Sequence, residues 1–88
     1  MIQKEITITN SLGIHARPAS MIVKTATGFQ SEISLIKDSM TADAKSIMSV
    51  MMLAAAHKSK IIIQANGPDE EEAAESIEEL FRINFNEE

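Results

Sequence analysis

The chain has 88 residues, of which 44% are hydrophobic and 24% charged, and 13 acidic residues outnumber 8 basic ones for a net charge of −5 at pH 7. This composition is typical of a globular protein, and the length predicts one domain over residues 1–88 with a thin core. The absence of cysteine excludes disulfides, thiolate metal sites and a cysteine nucleophile, and two separated histidines are too few for a histidine-rich zinc site. Three aromatic residues and the negative net charge argue against direct nucleic-acid binding, and we expect no cofactor.

Two patterns organise the first part of the chain. Isoleucines alternate with threonines over Lys4–Thr9, which predicts a half-buried strand that breaks at residues 10–13. A helix follows from Ala16, with Pro18 in its first turn and Gly28 available as the residue after its end. Its buried face is predicted from apolar residues at helical spacing: Ala19, Ile22, Val23 and Ala26.

The middle of the chain predicts a hairpin and a short helix. Ile33 and Leu35 alternate with polar residues, residues 37–39 have turn composition, and Met40–Ala42 form a short returning strand. The second helix is expected to begin near Ser46. Its helical spacing comes from four apolar residues: Ile47, Val50, Met51 and Ala54.

The last part predicts a strand and a longer helix. Isoleucines alternate in Lys60–Ala65, and residues 66–68 are a strong break. Asp69 is predicted to cap the final helix, with Glu72 completing a capping box. The buried stripe of this helix is predicted to be Ala73, Ile77, Leu80 and Phe81. The resulting order, βαββαβα, predicts an α+β fold in which helices cover one face of an antiparallel sheet.

Charge is divided unevenly along the chain. Residues 69–88 contain nine acidic residues and one basic residue, whereas residues 1–68 contain seven basic and four acidic residues. We expect the acidic run to be the solvated face of a last helix that lies remote from the first loop and the second helix, with a specific docking site as the alternative. Without an apolar run of about 20 residues or a signal-peptide pattern, we expect a cytoplasmic protein without membrane insertion.

The segment Gly13–Ala19 is the part of the chain that packing does not explain. It places His15 and Arg17 two residues apart at the predicted start of the first helix, where backbone N–H groups and the helix dipole favour an anion. A neutral, nucleophilic imidazole suits this position, Arg17 adds a planar set of donors for phosphoryl oxygens, and Gly13 allows close backbone approach. The simplest chemistry is a histidine that accepts and releases a phosphoryl group. The alternative is that the pair serves helix capping and solvation.

This segment resembles the active-site signature of the histidine-containing phosphocarrier (HPr) family of the bacterial phosphoenolpyruvate:sugar phosphotransferase system. Residues 45–51 and 66–70 match further blocks of the family, so the resemblance spans essentially the whole chain. It implies an open-faced β-sandwich with a four-stranded antiparallel sheet under three helices. It also implies that His15 receives a phosphoryl group on Nδ1 from phosphorylated enzyme I and donates it to IIA domains of sugar permeases. Arg17 would engage the phosphate, and further phosphate-binding and loop-shaping positions would be Gly13, Ala16 and Pro18.

A second functional region is implied around Ser46. From the residues alone, Ser46 is first a helix N-cap worth about 1 kcal/mol. The resemblance adds regulatory phosphorylation there by HPr kinase/phosphorylase, as in Gram-positive members, with a catabolite-control transcription factor as a further partner. It also implies partner docking through Ile47, Met48 and Met51, whereas Met52 is expected in the core. Three positions depart from the family pattern: Leu12, Ser49 and Ala54.

We therefore interpret the chain as a monomeric phosphoryl carrier without enzymatic turnover of its own. One alternative is a purely regulatory binding module that acts through Ser46 and the apolar patch in catabolite control. Another is an α+β ligand-binding domain unrelated to phosphoryl transfer, for which His15 and Arg17 would be coincidental. The second histidine, His57, is interpreted as an ordinary surface residue because no further ligand or base lies near it in the sequence.

Overall fold

The structure is a computed structural model that describes residues 1–9, 13–53 and 58–86. Its elements follow the predicted order βαββαβα and end in a short turn at Asn84–Asn86. The strands are β1 (Ile2–Thr7), β2 (Glu32–Lys37), β3 (Met40–Asp43) and β4 (Lys60–Asn66). The helices are α1 (Ala16–Ala26), α2 (Ile47–Met52) and α3 (Glu70–Arg82).

The strands form one antiparallel sheet with the order β1-β4-β2-β3. In the central strand β4, Ile61 and Ile63 are buried while Ile62 and Gln64 on the other face remain half-buried. Alternating side chains point to opposite faces of a strand, so the sheet has one covered face and one open face. The predicted open-faced sandwich is confirmed.

The helices cover the buried face of the sheet through the predicted stripes. In α1, Ala19, Ile22 and Ala26 are buried and Val23 is partly buried. In α3 the buried residues are Ala73, Ala74, Ile77 and Phe81, with Leu80 partly buried. Helix α3 packs on β1 and β4, and α1 packs on both α2 and α3. The first turn of α1, which contains the buried Ala19, is therefore packed into the core.

The capping box predicted at the start of α3 is wrong. Asp69 is the N-cap residue, but its side chain makes no capping hydrogen bond to the helix. Its carboxylate instead accepts hydrogen bonds from the backbone N–H groups of Gln30 and Ser31, both at 2.9 Å, and from the Ser31 hydroxyl. These donors, with the Ser31 hydroxyl contributing most, lower the pKa of Asp69. Asp69 therefore joins the start of α3 to the segment that precedes β2.

The start of the first strand also differs from the prediction. Strand β1 begins at Ile2 rather than Lys4, since Ile2 pairs with Ala65 of β4. Gly28 follows the C-cap of α1 as predicted, but among the described residues the glycines with left-handed φ are Gly13 and Gly67. Within the described ranges, no helix is long and apolar enough to cross a membrane.

Candidate functional site

His15 lies at the junction between the first loop and α1. It is the N-cap residue of the helix, with extended backbone dihedrals of φ −106° and ψ −166°, and its carbonyl accepts from the Ala19 N–H at 2.9 Å. Its side chain makes no capping hydrogen bond, so the interpretation of this imidazole as a helix cap is wrong. The ring is half-buried, and its Nε2 atom is buried. An incoming group therefore cannot reach Nε2 without a rearrangement of the ring.

Three residues beside His15 shape the loop and the helix start. Gly13 is buried and has φ +69°, a left-handed conformation that glycine adopts without the steric cost of a side chain. Pro18 is buried in the first turn of α1, where its missing N–H removes no intrahelical hydrogen bond. Ala16 is exposed at the first helical position. The predicted loop residues thus lie within three positions of His15 in the chain.

Arg17 follows in the same turn, and its side chain reaches the C-terminal part of the chain. The residue is exposed, and its Nη1 donates a hydrogen bond of 2.9 Å to the Phe85 carbonyl. The structure therefore places the uncharged turn after α3 beside the loop. Residue 85 was not identified from the sequence. The available signal was the continued spacing of four in Ile77, Phe81 and Phe85.

Ser46 is confirmed as the N-cap of α2. Its Oγ accepts a hydrogen bond from the Ser49 N–H at 3.3 Å, and its own N–H donates to the Asp43 carbonyl at 3.0 Å. The neighbouring Lys45 ammonium donates to the Phe29 carbonyl at 2.8 Å, just beyond the end of α1. The half-buried Ser46 side chain is therefore an element of local structure before any modification.

Helix α2 presents an exposed apolar surface, which we call the α2 patch. It consists of Ile47 (42% exposed), Met48 (71%), Met51 (45%) and Met52 (68%). The helix instead buries Val50, with Leu53 at its C-cap. The periodicity that grouped Ile47 and Met51 with Val50 therefore did not identify a buried face. The expectation that Met52 packs in the core is also wrong, while Ala54 and His57 lie outside the described residues.

The family model described as the PTS HPr component phosphorylation site matches residues 2–82. The chain belongs to the HPr family. It is 44% identical over 88 residues to the phosphocarrier protein HPr of Treponema pallidum, with 100% of both chains covered. It also matches the crystal structure of HPr from Thermoanaerobacter tengcongensis with a TM-score of 0.96 and 41% identity, covering 100% of this chain and 99% of that one.

A further structural relative is Crh, the Bacillus subtilis catabolite repression protein, whose crystal structure is described as a dimer with a swapping domain. It has a TM-score of 0.76 and 34% identity, and the match covers 96% of this chain and 97% of that one. Membership of the HPr family makes this chain a phosphocarrier of the phosphotransferase system rather than an enzyme. The resemblance and the open-faced fold inferred from the sequence are both confirmed.

Proposed function

We propose that His15 carries the phosphoryl group, which it receives from phosphorylated enzyme I and transfers to IIA domains of sugar permeases. The observation that carries this proposal is the position of the imidazole at the N-terminus of α1, where its side chain is not used as a cap. The N-terminal end of a helix favours negative charge through its backbone N–H groups and dipole. A phosphoryl group on His15 would gain from both.

The burial of Nε2 supports Nδ1 as the phosphorylated atom. In the transfer step, the Nδ1 lone pair attacks phosphorus, and the bond between phosphorus and its donor group on enzyme I breaks. The ring proton remains on Nε2, so the product is a phosphohistidine without loss of that proton. In the second transfer, the acceptor group of the IIA domain attacks phosphorus, the bond between phosphorus and Nδ1 breaks, and unphosphorylated His15 is regenerated. Arg17 would hold the phosphoryl oxygens through its planar donors.

Regulation is proposed at Ser46, with partners docking through Ile47, Met48 and Met51 of the α2 patch. A phosphate at Ser46 would lie at the start of α2 and directly before the patch, adding about −1.5 to −2 charges at pH 7. It would thereby place a hydrated anion beside an apolar contact surface. The proposed modifying partner is an HPr kinase/phosphorylase, and a catabolite-control transcription factor is a proposed reader of the modified form.

A purely regulatory binding module remains the second candidate function. The likeness to the catabolite repression protein Crh and the exposed α2 patch favour it, since neither requires chemistry at His15. The two functions differ in one measurable property. A carrier forms a phosphohistidine in the presence of enzyme I and phosphoenolpyruvate, whereas a purely regulatory module does not.

The deciding experiment incubates the full chain with enzyme I and phosphoenolpyruvate and looks for an acid-labile, base-stable adduct. We expect the adduct on the wild-type chain and its loss in His15→Ala. The matched control is His57→Gln, which removes the second of the two histidines and should leave the adduct intact. Loss of the adduct in His57→Gln with retention in His15→Ala would reverse the assignment, and no adduct on any chain would favour the regulatory module.

Three further properties complete the proposal. We infer that residues 1–88 form one domain, that the protein is cytoplasmic and that it is monomeric. The swapped dimer described for Crh makes the last property worth measuring. Sedimentation across a concentration series tests the monomer, limited proteolysis tests the single domain, and cell fractionation tests the location.

A further inference from the structure

Methionine is concentrated on one short helix of this protein. The sequence contains six methionines and no cysteine, tryptophan or tyrosine. Three of the six lie in the α2 patch: Met48, Met51 and Met52. Because the chain has no cysteine thiol to react with mild oxidants, the methionine thioethers are the side chains that a peroxide attacks first. The positions of these sulfur atoms in the fold therefore decide where oxidation acts.

The three methionines of the α2 patch are open to solvent. Met48 and Met52 are 71% and 68% exposed, and Met51 is 45% exposed. Residues three and four positions apart on a helix are neighbours on its surface, so these side chains form one cluster. Met21 of α1 differs, because it is partly buried and packs against the hydrophobic core. A dissolved oxidant can therefore reach the thioethers of the patch more easily than that of Met21.

Other residues hold α2 in the fold. Val50 and Leu53 are its buried side chains, and the helix packs on α1 and β3. The hydrogen bond that caps its N-terminus joins Ser46 and the Ser49 amide, and it involves no side chain of the patch. An oxygen atom added to an exposed thioether leaves these contacts in place. We therefore expect the domain to stay folded when the patch is oxidised.

We propose that Met48, Met51 and Met52 form an oxidation site for hydrogen peroxide, and that their sulfoxides weaken the docking of partners. In the reaction, the sulfur lone pair attacks one peroxide oxygen and the O–O bond breaks. The sulfur then carries the transferred hydroxyl group, and the released hydroxide takes its proton, which leaves a sulfoxide and one water molecule. Sulfur is oxidised and the peroxide is reduced. Methionine sulfoxide reductases restore the thioether, so the modification is reversible.

The effect on docking rests on the proposed function of the α2 patch. A thioether is apolar and adapts to the shape of a partner, whereas a sulfoxide is polar. Burying the sulfoxide oxygen against a partner that offers no hydrogen-bond donor costs free energy. Oxidation thus converts an apolar contact surface into a polar one and leaves the imidazole of His15 chemically unchanged.

The first test measures where oxygen is added, and it requires no partner protein. The full chain is treated with dilute hydrogen peroxide, and the sulfoxide at each methionine is followed by peptide mass spectrometry. We expect Met48 and Met52 to be oxidised at least about tenfold faster than Met21. Circular dichroism and urea unfolding should show that the oxidised protein remains folded. Equal rates at Met21 and Met48, or loss of the fold on oxidation of the patch, would overturn the assignment of the site.

The second test measures binding of unphosphorylated enzyme I by titration calorimetry, with each protein compared before and after peroxide treatment. The wild type should lose affinity roughly tenfold. A triple variant that combines Met48→Leu, Met51→Leu and Met52→Leu should stay within about twofold of its own untreated form, because leucine has no sulfur. Met40→Leu is the matched control: it replaces an exposed methionine on β3, and it should lose affinity on oxidation like the wild type.

Treatment of the oxidised wild type with methionine sulfoxide reductases should restore binding, and no recovery would contradict the assignment to methionine. Undiminished binding by the oxidised wild type, or an equal loss in the triple variant, would overturn the effect on docking. Met48→Leu alone, compared in the same way, should lose less affinity than the wild type. If untreated wild type does not bind enzyme I, the effect on docking fails with the proposed function of the patch, and the oxidation rates still decide whether the site exists.

Discussion

Substitutions at Ser46 separate its structural role from its electrostatic one. Ser46→Ala removes a single N-cap hydrogen bond of 3.3 Å from a half-buried side chain at the start of a six-residue helix. N-cap deletions cost about 0.5–2 kcal/mol, and the long bond and short helix place this one at about 0.5–1 kcal/mol. In a domain of this size that loss lowers Tm by roughly 2–8 °C. Ser46→Asn and Ser46→Asp keep a capping oxygen and should retain most of the stability.

Phosphoryl transfer from enzyme I should rank the same variants differently. We expect enzyme I to present carboxylates to Arg17 and the α2 patch, since both belong to the basic portion of the chain. One added negative charge about 8 Å from such a carboxylate costs ~0.5 kcal/mol in water, so two of them would raise the apparent KM of Ser46→Asp roughly fivefold at low salt. The defect should shrink as ionic strength rises. Ser46→Asn has the shape and the capping oxygen of Ser46→Asp but no charge, so it should accept the phosphoryl group like the wild type. Equal defects in Ser46→Asn and Ser46→Asp, or a defect indifferent to salt, would refute the electrostatic reasoning, and an unchanged Tm in Ser46→Ala would refute the cap.

Three further outcomes are expected. Arg17→Lys should slow phosphoryl transfer at saturating enzyme I roughly tenfold and change the affinity for enzyme I little, because an ammonium lacks the planar donors of a guanidinium. Equal losses in rate and affinity in stopped-flow assays would contradict this role. Met48→Ser should weaken binding of enzyme I in titration calorimetry, whereas Met40→Ser, an exposed methionine on β3, serves as the control and should not. Hydrogen bonds led by the Ser31 hydroxyl lower the pKa of Asp69, so its carboxylate stabilises the fold above the ordinary pKa of 3.8. This contribution is lost as the pH falls through the lowered pKa. Urea unfolding from pH 2 to 6 should therefore show a smaller acid-induced loss of unfolding free energy for Asp69→Asn than for the wild type.

The spacing of apolar residues predicted most elements correctly because another element of the fold covers the apolar face of each. The alternation in β4 and the helical spacing in α1 both correspond to buried faces, so periodicity and tertiary packing agree there. Helix α2 is the exception. Its apolar spacing is as regular, yet Ile47 and Met51 of that spacing are 42% and 45% exposed because α2 packs through Val50 and Leu53. Periodicity reports which residues share a face, but it does not report whether another element covers that face.

At the candidate site, the sequence likewise does not reveal contacts between residues that are far apart in the chain. The position of His15 at a helix start was readable from the sequence, since Pro18 and the spacing that follows define the first turn. The partner of Arg17 was not, because a backbone carbonyl carries no residue-specific signal. Likewise, Asp69 was expected to cap its own helix. Its carboxylate instead accepts from the Gln30 and Ser31 amides and the Ser31 hydroxyl, which are far away in the sequence. Competition between local and distant hydrogen-bond donors is resolved only by the fold.

The strand order has a consequence for how the chain folds. β2 and β3 form a local hairpin, but among the described strands β1 pairs only with β4. The side chains of Gln3 and Gln64, which meet across this pair, are 61 residues apart in the sequence. Closing such a loop costs entropy before the contacts form, and folding rates fall as the sequence separation of contacts grows. The two edges of the sheet should therefore form at different stages, with the hairpin early and β1 docking late. Since the His15 loop directly follows β1, its active geometry would be among the last features to form.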